Sequence, residues 1–217
     1  MVSSDKLQAP ERTVRNSLSE QLILNEALGI VASGQPFSIR RVANGLRCTP
    51  MALYRYFPDK HRMVLSLIDR VMEPVKSEPV GATWSDRVAC WASNHLQTLQ
   101  LNAWAIPLLM ENPDPGPNVR LAGEFLLRDL RASGQSDDRV LATFSAILAL
   151  NYGWAGFTSS AMPSIDGNRR VMRLREDVPT TRELPTTAGF WNKLALVGTA
   201  EQHALAIGLL ISGLVEQ

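Results

Sequence analysis

Arg40, Tyr54, Tyr56 and Lys60 are the residues of this chain whose types and spacing carry chemistry. Phenol hydroxyls and an ammonium group donate hydrogen bonds to phosphate oxygens, which anchors a protein on nucleic acid without reading its sequence. A guanidinium can pair with both acceptors on the major-groove edge of guanine. The set reads as three phosphate anchors and one base reader. Each residue taken singly is more often a solvated surface group, so the reading depends on the elements that hold them together.

Those elements lie between Ser38 and Lys60. Ser38 is a favourable N-cap, and Phe37 before it can staple the helix start against Val42. Ile39, Val42, Ala43 and Leu46 recur at helical spacing, leaving Arg40, Arg41 and Asn44 towards water. After a break from Gly45 to Cys48, Thr49 caps a second short helix and Pro50 takes its first position, where a missing NH is harmless. That helix, Thr49 to Phe57, buries Ala52, Leu53 and Phe57 and shows Met51, Tyr54, Arg55 and Tyr56. Two short helices joined by a tight turn form a helix-turn-helix, whose second helix enters the major groove by its N-terminus. Thr49, Pro50 and Met51 then face the bases with little hydrogen-bonding capacity, which leaves Arg40 as the base reader. Lys60 lies near the start of a further helix, opened by Pro58 and Asp59, whose NH groups can also face a phosphate.

Ala43, Leu46, Thr49, Ala52, Leu53, Tyr54, Tyr56, Phe57 and Lys60 resemble the A-x-x-L-G-V-S-x-x-A-L-Y-x-Y-F-x-x-K core of TetR-family transcriptional repressors. The likeness fixes nine positions across eighteen residues. Two positions depart from it: Arg47 stands where the family has its turn glycine, and Cys48 where it has valine. A left-handed residue other than glycine costs about 1 kcal/mol, so the turn is either shaped differently or uses Gly45. The run from Trp84 to Phe157 is more diffusely similar to the helical C-terminal domain of the tetracycline repressor branch. It includes Trp104, Pro107 to Leu109, the break around Gly116 and the helix boundary from Gly134 to Ser136. Tetracycline-binding members hold a drug-chelated magnesium with a histidine just before the break, and Leu108 occupies that position here. The resemblance therefore implies a different ligand, and an all-α protein with a DNA-binding head.

The chain has 217 residues, 45% hydrophobic and 20% charged, with a net charge of +1. Residues 1 to 62 carry nine Lys or Arg against five acids, and the remainder thirteen against sixteen. A basic head on a mildly acidic body suits DNA binding by one part only. Met1 to Asn16 is polar and lacks the apolar core of a secretory signal. No run approaches about 18 uninterrupted apolar residues. Cys48 and Cys90, without a C-x-x-C, indicate neither a disulfide framework nor a zinc site, and the cytoplasm is the expected location. Residues 1–16 read as a flexible arm, whose Lys6, Arg12 and Arg15 either reach a minor groove or are solvated.

The expected architecture is a three-helix helix-turn-helix domain over 17–62 and a larger helical bundle over 63–217 that binds ligand and dimerises. A first helix runs from Ser19 to Ala32, with Leu22, Ile23, Ala27, Ile30 and Val31 inward and Gly34 ending it. A connecting helix spans 58–76. Helices follow from Thr83 to Leu101, Val119 to Arg131, Ser136 to about Ala161, and Ala188 to Val215. A Pro-, Thr- and Arg-rich connection over 163–187, with Arg169, Arg170, Arg173 and Arg175, reads as a mobile loop. Ala142, Ala146, Ala149, Gly153 and Gly156 form a small-residue stripe on one helix, and Ala200, Ala204 and Gly208 another on the last. Two such helices from each of two chains would make a four-helix dimer interface; the alternative is packing within one chain.

An apolar, aromatic effector pocket is expected from Trp91, His95, Trp104, Met110, Phe125, Phe144 and Trp154, although each taken alone reads as core. No cofactor or metal is expected: His61, His95 and His203 are far apart in sequence and match no metal motif. No P-loop, G-x-S-x-G or G-x-G-x-x-G occurs, and an enzyme is not expected. The sequence reads as a homodimeric, ligand-responsive repressor of a palindromic operator. Two other readings stand beside it: a helical small-molecule-binding protein or enzyme whose head does not use DNA, and an interaction module that pairs its stripes with a different helix.

Overall fold

The computed structural model describes residues 18–114, 116–158, 184–194 and 196–215, so the arm at 1–16 and most of the connection at 163–187 lie outside the described residues. Every regular element among the described residues is helical, and the fold class is all-α as expected. The chain divides into two compact units, residues 1–58 and 59–217.

The first unit holds α1 (Glu20–Ala32), α2 (Ile39–Gly45) and α3 (Pro50–Tyr54). Ser19 and Ser38 cap the first two by accepting from the NH groups of Leu22 and Arg41, each at 3.2 Å. Thr49 occupies the N-cap position of α3 but makes no side-chain cap; Pro50 alone sets that start. The core is Ile23, Leu24, Ala27 and Ile30 of α1, Val42 and Ala43 of α2, and Leu53 with Phe57. Leu24 takes the place expected for Leu22 and Val31, which stay half-exposed. Of the two options for the turn, Arg47 itself adopts the left-handed conformation, at φ +52°. Gly45 is helical, and a Cβ there would lie 1.9 Å from the Glu26 carboxylate, the movable end of a flexible side chain.

The second unit begins with α4 (Lys60–Val71), which packs against α7 (Pro117–Arg131) and a short 3-10 turn at Glu73–Lys76. The sequence boundary at 62/63 falls inside α4, because this helix belongs by its contacts to the body. The connecting helix is also shorter than the expected 58–76. Asp59 caps it, accepting from the Arg62 NH at 2.7 Å, and Pro74 cannot continue an α-helix but fits the start of the 3-10 turn. The bundle continues with α5 (Trp84–Leu101), α6 (Ile106–Glu111), α8 (Asp137–Thr158), α9 (Pro185–Leu194) and α10 (Ala200–Ser212). A reciprocal capping box between Thr83 and Asp86 starts α5.

Central α5 packs on α7, α8 and α10. The buried Asp129 of α7 accepts from Arg87 Nε of α5 at 2.8 Å. The single last helix expected over 188–215 is two helices. Gly198, at φ +95°, breaks it, and Thr199 caps α10 by accepting from the Gln202 NH. Residues 185–187, expected in the loop, are the first turn of α9. By length and composition α8 would suffice to cross a membrane, and only 22% of its most apolar window is buried. Its Asn151, however, is fully buried and bonded to both neighbouring helices, α5 and α10, which fastens α8 into the bundle.

Candidate functional site

In the head, Arg40, Thr49, Pro50, Met51, Tyr54 and Arg55 are exposed. Met51 is 72% and Tyr54 42% accessible, which is unusual for such large side chains and leaves the start of α3 uncovered. Arg55 caps the C-terminal end of α3 rather than lying within it. Tyr56 is placed differently from the expectation. Its ring is half-buried and its hydroxyl donates to the Leu18 carbonyl, committing the one proton that would have reached a phosphate. The half-buried Arg41 donates to the Pro36 carbonyl and so braces the turn before α2 rather than facing water. In the second unit, Lys60 is exposed at the first position of α4. The carboxylate of Asp59 already holds the Arg62 NH, so that helix start is a self-capped end rather than an open anion site.

The body contains a cavity of about 730 Å³ bounded by α5, α6, α7 and α8. Of the expected residues, Trp91, His95, Met110 and Phe144 line it. Trp104, Phe125 and Trp154 do not. Trp104 sits in the 3-10 segment Ala103–Ala105, outside this wall. Phe125 follows the lining Gly123 by two residues, which turns it about 200° around α7, and the Arg128 guanidinium lies 5.1 Å from its ring centroid. Trp154 faces α10, edge-on to His203 at 5.5 Å, and borders a smaller cavity of about 310 Å³.

Met72, Leu148, Tyr152 and the exposed Asp114–Arg120 ion pair at 2.8 Å also line the larger cavity and were not expected. Tyr152 was legible in principle: Phe144, Leu148 and Tyr152 repeat at intervals of four along α8.

Three polar side chains make one buried chain behind this wall. Asn151 Nδ2 donates to the Ala92 carbonyl at 2.9 Å and to His95 Nδ1 at 3.0 Å. His203 Nε2 donates to Asn151 Oδ1 at 2.7 Å. A carbonyl only accepts, so Ala92 fixes which way the amide points, and the amide fixes the histidines. Trp91 stacks on His95 with ring centroids 4.6 Å apart, its indole NH held by the Ala122 carbonyl at 2.8 Å. Tyr152 meets the other side of His95 edge-on at 5.6 Å. Burial pushes His95 down to about 3, keeping it neutral. Burial also lowers His203 and raises the Tyr152 phenol.

A second buried group ties the cavity to α4. Asp69 of α4 accepts from the Val119 NH at 3.0 Å, and its own carbonyl accepts from Asn118 Nδ2 at 3.2 Å. Gly116 at the N-cap of α7 offers no side chain, so Asp69 caps that helix from outside. A Cβ at Gly116 would lie 2.6 Å from the Asp69 carboxyl. Desolvation raises the Asp69 pKa, against the backbone NH groups and Arg120, which lower it.

The small-residue stripes lie largely on the surface of the single chain. Ala142, Ala149, Gly153, Ala200, Ala204 and Gly208 are exposed, with Ala146 and Gly156 half-buried. Leu141, Phe157, Leu205 and Leu209 of the same helices are exposed beside them. Ala149 and Gly153 also line both cavities, so the stripe forms part of their walls.

The chain thus joins a helix-turn-helix unit to a helical body that holds a cavity. No protein-family model matches the chain. It is 26% identical over 171 residues to the HTH-type transcriptional repressor DrrR1 of Streptomyces coeruleorubidus, which covers 77% of this chain and 62% of that relative. The chain thus spans less than two thirds of the relative's length. The TetR family protein ActR of Streptomyces coelicolor, in complex with actinorhodin, superposes with a TM-score of 0.74 at 19% identity, covering 91% of this chain and 97% of ActR. BioQ of Mycobacterium smegmatis gives 0.63 at 18% identity over 91% and 98%, and BioQ with its double-stranded DNA operator gives 0.63 at 17% identity over 92% and 99%. The fold is that of the TetR-family transcriptional regulators, as the head motif implied.

Proposed function

We propose that the protein is a ligand-responsive transcriptional repressor of the TetR family, acting as a cytoplasmic homodimer. Two heads occupy successive major grooves of a palindromic operator, and a small, largely apolar effector in the body releases them. The observation that carries the reading is the pairing of two parts in one chain. One is a head whose Arg40, Met51, Tyr54 and Arg55 stand exposed around α3; the other is a separate unit enclosing a cavity of about 730 Å³. The repressor name of the curated relative, the operator bound by BioQ and the actinorhodin bound by ActR support it. Regulators as relatives also favour a non-enzymatic role.

The exposed apolar faces of α8 and α10 support the dimer, since uncovered surface of this kind marks an interaction site. Half-sites about 34 Å apart require two heads at fixed spacing. Effector in the cavity presses on Met72, and the Asp69 contact makes α4 move with α7. The next residues towards the N-terminus lead into the head, so a shift of α4 resets head spacing. Emptying an almost full operator requires roughly 5 kcal/mol of differential binding.

Selection of duplexes from a random library by the purified protein, followed by salt titration of the winner, tests this. A palindrome with steep salt dependence is expected. No enrichment at low salt by folded protein would overturn the reading. Lys60→Ala should weaken all duplexes alike and lower the salt slope by about one, whereas Arg40→Ala should relax the preference at one base pair.

A further inference from the structure

His95 presents a fixed chemical face to the cavity. Its Nδ1 is occupied by the Asn151 amide NH, and that amide cannot reverse without turning its oxygen on the Ala92 carbonyl. A neutral imidazole whose Nδ1 accepts carries its proton on Nε2. Rotation of the ring is restrained on both sides, by Trp91 and by Tyr152. Among the described residues the one enclosed side-chain polar atom without a partner is Trp154 Nε1. Nε2 is the ring nitrogen that Asn151 leaves over, on a residue that lines the cavity. His95 is 1% exposed, so most of its ring is held by protein.

We infer that the effector is an uncharged or anionic planar compound with a hydrogen-bond acceptor on its ring system, a ketone, quinone or ether oxygen, received by the Nε2–H of His95 in the tautomer that Asn151 and Ala92 enforce. The inference rests on the effector reading above. The walls suit a flat apolar body, because Trp91, Met110, Phe144 and Leu148 line the cavity beside His95, and the other polar side chains of the lining are Tyr152 and the exposed Asp114–Arg120 pair. A ligand that offers only an N–H sets donor against donor and gains nothing. The histidine does not adapt by changing charge, since burial holds it neutral at physiological pH. His203, bonded to the opposite side of Asn151, holds the amide from α10. Specificity at the cavity is thus written into residues that never touch the ligand, with Asn151 as a positioning residue.

Three probes of one shape separate the possibilities: 9-fluorenone, which carries an acceptor; fluorene, which carries neither group; and carbazole, which carries a donor at the same place. Equilibrium dialysis against the full chain should give fluorenone at least fivefold tighter binding than fluorene, the value of one neutral hydrogen bond, and carbazole no advantage. His95→Phe should remove the preference for fluorenone over fluorene. Equal binding of all three, or a preference for carbazole, overturns the acceptor inference and leaves the cavity a ligand site. Binding of none of them overturns the effector reading beneath it. To guard against a His95→Phe chain that fails to fold, the tautomer is also read in the unaltered protein by long-range proton–nitrogen correlation on labelled histidine. His95 should stay neutral with its proton on Nε2 from about pH 5 to about pH 8. A proton on Nδ1, or an imidazolium, overturns the inference.

Discussion

Asn151→Leu should be among the most damaging single substitutions in the body, although leucine matches the shape of asparagine and α8 is otherwise apolar. Asn151 is 0% exposed and satisfies His95 Nδ1, His203 Nε2 and the Ala92 carbonyl at once. The carbonyl retains its place in the α5 helix, so two ring nitrogens lose their partners in a dry site. Each buried orphan costs about 1–3 kcal/mol, which sets the expected loss at about 2–6 kcal/mol. Leucine recovers little of this, because Asn151 already fills its space and no cavity is closed. Urea unfolding of wild type and variant at one protein concentration, followed by tryptophan fluorescence, measures the loss. The companion variant carries His95→Phe, Asn151→Leu and His203→Phe together. Removing all polar partners at once can be nearly neutral, unlike removing one, so the triple variant should be more stable than the single. A loss below about 1 kcal/mol for Asn151→Leu, or a triple variant less stable than the single, would falsify the relay as the organising contact of this core.

The pH dependence follows from the same site. His95 has a folded pKa near 3 against 6.5 unfolded, so the unfolded chain binds more protons between those values. Stability therefore falls as pH drops through that window, by up to about 1.4 kcal/mol per unit from His95 alone, and His203 acts in the same direction. Asp69, with a raised pKa, works in the opposite sense just above its unfolded value. The difference between wild type and His95→Phe in unfolding free energy, measured from about pH 7 to about pH 4, isolates the histidine contribution and should shrink as pH falls. Arg47→Gly should stabilise the head by about 1 kcal/mol, because the +52° φ is strained for arginine; hydrogen exchange of the α2 and α3 amides reads this, and unchanged or faster exchange would refute it. Asp69→Ala should cost about 1–2 kcal/mol through the lost cap and loosen the start of α7, which exchange at Val119 reports. Operator release by a bound effector should weaken in that variant even where effector affinity does not.

The helix-turn-helix was legible because local signals agree there. Two cap residues, a proline at a first turn and apolar spacing all fall within twenty-three residues, and Ser38 caps as its sequence context demands. The cavity was half legible. Trp91 and His95 share a face of α5 with Val88 and Leu99, and periodicity finds a face. It does not say which neighbours leave a gap, so Phe125 and Trp154, on equally apolar stretches, were indistinguishable from Phe144. Tyr56 matched its motif yet spends its hydroxyl on Leu18, a contact thirty-eight residues away that no local pattern announces. The broken last helix had visible punctuation in Gly198 and Thr199, outweighed by the apolar run around them. Asn151 and Asp69 were the polar residues inside apolar runs, and their partners lie fifty or more residues away in sequence.

That separation bears on how the body assembles. Helix α7 has no cap of its own, and the carboxylate that supplies one stands fifty residues earlier in the chain. Synthesis delivers α4 first, so the stopper is waiting before the helix it closes has been made. The first turn of α7 is thus held by α4 rather than by its own residues. The wall of the cavity next to Val119 and Arg120 and the seating of α4 depend on one shared contact.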